Sequence, residues 1–191
     1  MMKVSDLEQL KALVEEGLDL EELSYKGFSP AHFVDFGNNQ EIATYLIGVG
    51  ARIDLHAVSR LGRTDLAKEM LSEANINSEY ATHEPRDKAH SLLPIHWACQ
   101  TGQVETVEIL IQNGSLVDPT DAFGSTPLRY AVDGRIVSSS WQPDEADRLR
   151  ICKSLVKHGS DVRFTSKEGK TLVDLARKRK RAMIEGYLKT L

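Results

Sequence analysis

Four side chains in the middle of the chain, His83, His90, His96 and Cys99, are of the types that ligate zinc. A zinc site needs its ligands at short, fixed spacings, and His83 and His90 stand in no such arrangement. Cys99 and Cys152 are the only thiols, too few for a four-cysteine site or a disulfide framework. Nucleophilic and phosphate chemistry have no better footing. The chain has no Gly-x-Ser-x-Gly elbow, no phosphate-cradling glycine loop and no His-Glu-x-x-His pair. Its 28 acidic residues must include close carboxylate pairs by chance, and nothing singles one out as a general acid or base. Asn113-Gly114-Ser115 has the form of a glycosylation acceptor but reads better as a helix terminus. No metal, cofactor or catalytic residue is expected, and the chain is read as a non-enzyme.

Charge offers a different chemistry. The run Arg177-Lys178-Arg179-Lys180-Arg181 could neutralise phosphates and release their counterions, but no aromatic residue interrupts it and the chain carries a net charge of −4. A solvated basic face is the expectation there. Residues 1–50 hold three lysines against nine carboxylates, whereas residues 163–191 hold nine basic residues against three acidic ones. A compact globule would blur that asymmetry; an elongated array would keep an acidic end and a basic end. The 191 residues suit one domain or one short array, and 41% hydrophobic content is enough to build a core. The longest uncharged apolar stretch, Ile42 to Ala51, is ten residues, far below the ~20 of a membrane helix. Met1-Met2-Lys3-Val4-Ser5-Asp6 runs straight into an acidic amphipathic stretch and lacks the form of a secretory signal, so a cytoplasmic, monomeric protein is expected.

The elements that position these residues follow a period. Leu93-Pro94-Ile95-His96 and Thr126-Pro127-Leu128-Arg129 begin 33 residues apart, as do Gly17 and Gly50, each of which closes a leucine-rich stretch. Further openings are Gly27-Phe28-Ser29-Pro30-Ala31-His32, Asp54-Leu55-His56 and Gly169-Lys170-Thr171-Leu172. Proline at a first helical position sacrifices no bond, and the Ser or Thr before it caps the helix. Apolar residues then recur at helical spacing in Leu7, Leu10, Leu13 and Val14, in Val104, Val107, Leu110 and Ile111, and in Leu149, Cys152, Leu155 and Val156. Gly17, Gly50, Gly114 and Gly159 supply the left-handed residue that ends such a helix. No unit can bury its own apolar face, so the units must stack.

These openings and closings resemble the ankyrin repeat, over nearly the whole chain. The resemblance implies a mostly α-helical solenoid of stacked helix-turn-helix units with short β-hairpin or loop connections, in a single domain over 1–191. The units are an N-terminal cap at 1–23, repeats at 24–52, 53–77, 78–118 and 119–162, and a C-terminal cap repeat at 163–191. The spacing departs from its own rule in three places. Ser29 to Ile53 is 24 residues, Ile53 to Leu93 is 40, and Thr126 to Thr171 is 45, so the fourth repeat carries an inserted loop at about 135–146. Asp144 is placed to cap the helix that resumes.

The resemblance also assigns side chains. His96 falls on the motif histidine that braces neighbouring loops, and Cys99 on a small buried helix position. Partners of the family meet the hairpin tips and the first-helix positions seven and eight residues beyond the threonine. In this chain those helix positions are Phe36 and Gly37, Arg60 and Leu61, Gln100 and Thr101, Asp133 and Gly134, and Lys178 and Arg179. The hairpin positions are Tyr25, Lys26 and Phe28, then Ala122, Phe123 and Ser125, then Lys167 and Glu168. Trp97 lies one place earlier and is expected in the core; Trp141, in the insertion, is a separate candidate anchor. The implied function is non-catalytic binding of another protein through this row, with the acid-to-base gradient setting orientation and association rate. The alternatives are a nucleic-acid adaptor acting through the basic terminus and a regulatory or inhibitor subunit acting through the 135–146 loop.

Overall fold

The computed structural model describes residues 7–20, 40–51, 53–71, 76–79, 91–134 and 143–191. Tyr25, Lys26, Phe28, Phe36, Gly37, His83, His90, Trp141 and residues 135–142 of the insertion lie outside the described residues. Among the described residues ten helices are formed: α1 Leu7–Glu15, α2 Gln40–Gly48, α3 Leu55–Leu61, α4 Thr64–Met70, α5 Pro94–Thr101, α6 Val104–Gln112, α7 Pro127–Asp133, α8 Glu145–Lys157, α9 Leu172–Lys178 and α10 Ala182–Leu188. They stack in two layers. The inner helices α3, α5, α7 and α9 pack each against the next, and the outer helices α4, α6, α8 and α10 do the same. No β-strand forms among the described residues, where the one β-bridge joins Thr165 to Thr171.

Local chemistry explains the starts and stops. The Thr126 hydroxyl accepts from Arg129 N at 3.3 Å with Pro127 at the first helical position, and Thr171 and Asp174 cap each other's backbone at α9. At α3 the cap is Asp54, whose carboxylate accepts from Ala57 N at 2.8 Å. The helix therefore starts one residue later than an opening counted from Ile53. Asp144 caps α8 as the sequence suggests, and Glu145 and Ala146 form the first turn of that helix. Gly17, Gly50, Gly114 and Gly159 all take the left-handed conformation expected of them, with φ of 94°, 83°, 93° and 95°.

The core runs the length of the stack. Val58, Ile95, Ala98, Cys99, Val107, Leu110, Leu128, Ala131, Ile151, Cys152, Leu155, Ala176 and Ile184 belong to one buried cluster extending from α3 to α10. Alanines on α5, α7 and α9 let neighbouring helices approach closely, and each buried leucine or isoleucine contributes roughly 2 kcal/mol. A second cluster joins Leu10 of α1 to Ile42 and Leu46 of α2, with Leu61 packed against it.

Candidate functional site

The turns that connect the units are fixed by side chains. At residues 121–125 the Asp121 carboxylate accepts from Phe123 N and Ser125 N, both at 2.8 Å, and from the Tyr130 hydroxyl at 2.7 Å. Burial and that bond to a carboxylate raise the pKa of Tyr130, so the phenol stays protonated and keeps donating. Ser166 does the same job one repeat later, where its hydroxyl accepts from Glu168 N at 3.3 Å and Lys170 N at 3.1 Å. Phe123, at the tip of the first of these turns, is left 42% exposed.

Below the turns, a buried histidine braces the stack. His96 Nδ1 accepts from Leu93 N at 3.0 Å, so the other ring nitrogen carries the proton and Nε2 donates to Pro119 O at 3.1 Å. Burial lowers the pKa of His96 to about 4. His56 makes the equivalent contact to Ser78 O at 2.9 Å. Asp118 ties the next step by accepting from Ser160 Oγ at 2.5 Å and Asp161 N at 2.6 Å. Among the described residues no group of three His, Cys, Asp or Glu gathers to hold a metal ion. Cys99 and Cys152 are buried and free, and burial raises both thiols, Cys152 to about 12, so neither supplies a thiolate near neutral pH.

Along the inner helices the expected contact row divides. Arg60 lies over the Trp97 ring, 4.8 Å from its centroid, and Trp97 is buried as anticipated. Leu61 and Gln100 are half-buried and Lys178 is exposed. Three members of the row are not open side chains. Thr101 is fully buried and donates to Trp97 O at 2.9 Å. Ser125 is buried and accepts from Arg129 Nη1 at 3.0 Å. Asp133 is buried between Arg179, whose Nε donates to it at 2.6 Å, and Arg129 at 3.5 Å. Of these, Asp133 is covered from the next repeat by Arg179, whereas Thr101 and Ser125 are held by residues of their own repeats. Arg129 takes the place of the motif histidine and lies beside the rings of Tyr130 and Phe164, at 5.8 and 5.9 Å.

The basic run is not uniformly solvated, which corrects the expectation above. Arg179 is held by Asp133, and Arg181 turns back to donate to Ala131 O at 3.1 Å and to Val132 O. Arg177 pairs with Asp174 and Glu185 at 3.2 and 3.1 Å. Only Lys178 and Lys180 of the five carry no such bond among the described residues, and both are exposed.

Sequence reasoning missed a set of residues around the start of α8. Arg148 is fully buried and donates to Gln100 O at 3.0 Å and Ala131 O at 3.2 Å, at the carboxyl ends of α5 and α7. Burial lowers its pKa to about 9, so it stays charged at neutral pH, facing the negative ends of two helices. Glu145 Oε1 accepts from Met183 N at 2.8 Å and Ile184 N at 3.2 Å, in the first turn of α10. Pro143 sits against Gly102, so closely that a β-carbon there would collide with its ring. The six residues from Pro143 to Arg148 thus touch α7, α10 and the end of α5. A signal was present: Arg148, Ile151, Cys152 and Leu155 share one face at helical spacing, but a charged residue is easily counted as solvent-facing.

Comparison with known proteins agrees with this geometry. A family model describing three copies of the ankyrin repeat matches residues 55–139. Cyclin-dependent kinase 4 inhibitor B of Rattus norvegicus is 32% identical over 95 residues, covering 48% of this chain and 72% of that protein. The ankyrin repeat protein FPV223 of fowlpox virus (strain NVSL) is 28% identical over 126 residues, 64% of this chain and 88% of the viral protein. Palmitoyltransferase ZDHHC13 of Mus musculus is 41% identical over 49 residues, and this chain spans only 8% of its length. Stacked helix pairs, glycine-closed turns and these likenesses lead to one conclusion: the chain belongs to the ankyrin repeat family.

Proposed function

We propose that this chain is a non-catalytic module that binds another protein through its turn tips and inner helices. Ankyrin repeats generally mediate protein–protein interactions, and one relative is, by name, an inhibitor of a cyclin-dependent kinase. The observation that carries the reading is Phe123. An aromatic ring is left 42% exposed on a turn whose backbone is tied down by Asp121 and, through it, by Tyr130. Burying such a ring in a partner pays no ordering cost for the turn that presents it, the condition under which aromatic anchors contribute most. Arg60, Leu61, Gln100 and Lys178 extend the surface along the inner helices. Thr101, Ser125, Asp133 and Arg179 are engaged within the array, and Tyr25, Lys26, Phe28, Phe36 and Trp141 remain members by sequence alone. The nucleic-acid reading is weaker now that Arg179 and Arg181 are held within the array.

The test replaces Phe123, Arg60, Gln100 and Lys178 by alanine together. Capture of partner protein from an extract of the source cells should be lost while far-ultraviolet circular dichroism is unchanged. Undiminished capture by a folded variant refutes the surface.

A further inference from the structure

We infer that the last repeat docks an acidic segment of its protein partner on a strip formed by Lys167, Lys170, Lys178 and Lys180. This deepens the proposed binding reading and rests on it.

The inference starts from how charge is used at this end of the molecule. Residues 163–191 contain nine basic side chains. Five are engaged within the array: Arg163 with Asp161 at 2.9 Å, Arg177 with Asp174 and Glu185, Arg179 with Asp133, Arg181 with the carboxyl end of α7, and Lys189 with Glu185 at 2.7 Å. Two of the three carboxylates of the same stretch are paired as well. Asp174 and Glu185 lie in those pairs; Glu168, held by Ser166 Oγ at 2.9 Å, stays a carboxylate on the turn and offsets one of the four lysine charges. The remainder is Lys167, Lys170, Lys178 and Lys180, all four exposed and none within ion-pair distance of a carboxylate among the described residues.

Their placement makes the remainder usable. Lys167 and Lys170 lie on the turn held by Ser166, which leads directly into α9; Lys178 ends α9 and Lys180 follows it. The strip therefore runs from the turn tip to the far end of the inner helix, the two parts of a repeat assigned to the partner above. Every arginine here is locked to a carboxylate or a carbonyl, whereas the uncommitted cations are all lysines on flexible stems. A segment carrying several Asp or Glu residues complements that surface. Nucleic acid is the less suited ligand, because the strip offers no exposed aromatic ring for base stacking.

A phage-displayed random peptide library panned on the whole immobilised chain tests this. Enriched peptides should be strongly acidic. Replacing the four lysines by glutamine should weaken their binding by about 30-fold, on the scale of four exposed ion pairs, while arginine at the same four positions retains it. Raising salt from about 0.05 M to about 0.5 M should weaken binding to the wild type and leave the glutamine variant's residual affinity nearly unchanged. Circular dichroism and Tm serve as the folding control for both variants. Acidic peptides that bind the folded glutamine variant as tightly as the wild type overturn the inference, as does a random-sequence DNA duplex that binds more tightly than they do. Enriched neutral peptides that lose affinity in Phe123→Ala also overturn it but leave the inner-face reading standing. No enrichment at all overturns both.

Discussion

Replacing Arg148 tests whether a buried cation ties neighbouring repeats together. Its guanidinium is fully buried and donates to carbonyls at the ends of two different inner helices, Gln100 O at 3.0 Å and Ala131 O at 3.2 Å. Bonds from a charged donor contribute about 1.5–3 kcal/mol each, so the two together contribute about 3–6 kcal/mol. Against them stands the cost of taking a guanidinium out of water, several kcal/mol, raised here because Nε has no partner. Arg148→Met keeps most of the aliphatic stem and removes both effects, and we expect a net loss of about 2 kcal/mol, the bonds outweighing the desolvation they recover. Arg148→Ala removes two or three buried methylenes as well, at about 0.8 kcal/mol each, bringing the loss to about 4 kcal/mol. Urea unfolding followed by circular dichroism measures both variants, and hydrogen exchange locates the weakness. Amides of α5, α7 and α8 should exchange faster while those of α1 and α2 do not change. If Arg148→Met is as stable as the wild type or more so, the buried charge is a burden and the tie does not exist.

Other perturbations follow from the same geometry. Gly134→Ala places a β-carbon against the Arg148 guanidinium at a backbone φ of 49°, which should cost about 3 kcal/mol. In the Arg148→Met background the cost should shrink to the backbone part, about 1 kcal/mol; full additivity in urea unfolding would show the two sites independent. His96 has a pKa of about 4 in the native chain against 6.5 ordinarily, so between those values only the unfolded chain binds its proton. Its contribution is complete above about pH 6.5 and falls by about 3 kcal/mol as pH drops towards 4; His96→Gln should flatten that part of the stability profile, and an unaltered slope would clear His96 of the effect. Lys180 is a non-glycine residue at φ 57°, just past the end of α9. Lys180→Gly should therefore raise stability by about 0.5–1 kcal/mol, and a lower Tm would refute the strain.

Residues whose effect is local were the ones legible from sequence. The caps at Thr126, Asp144 and Thr171 and the left-handed glycines act within a few residues of themselves, and the motif histidine is marked by its own local bond to Leu93 N. A cap bonds to the third residue on, and a left-handed glycine depends on its own backbone, so spacing alone finds them. Several misreadings, though not that of Ser125, whose partner Arg129 is four residues on, depend on how the units stack. Thr101 and Asp133 occupy positions that are open in a single repeat, yet one is buried in its own stack and the other is covered by Arg179, 46 residues later. Arg181 reads as part of a solvated run because its carbonyl acceptors lie 50 and 49 residues before it. Arg148 was hidden for a further reason: hydrophobic patterning ranks a charged side chain as exterior, so the α8 stripe was assigned to Leu149 when the buried face includes Arg148 and Ile151.

The long polar side chains share a purpose that the shortness of the inner helices creates. An inner helix of seven or eight residues leaves its last four carbonyls without an intrahelical donor, which is half of its backbone acceptors. A left-handed cap residue satisfies part of that need, as when Gly62, Gly102 and Gly134 donate to Val58 O, Ala98 O and Tyr130 O. The next outer layer supplies more: Gln103 donates to Arg60 O at 3.5 Å, Arg148 to Gln100 O and Ala131 O, and Arg181 to Ala131 O and Val132 O. All but the Arg148–Ala131 bond run between repeats, so satisfying a helix end also sets how one unit sits on the next. Three of these donors' targets lie on residues at or beside the proposed contact row, Arg60, Gln100 and Val132. The first turns of α8 bring Arg148 to the place where the α5 and α7 ends need a donor. A binding face held this way is ordered before a partner arrives, so partner affinity should depend on Arg148 and Gln103 even though neither reaches the partner.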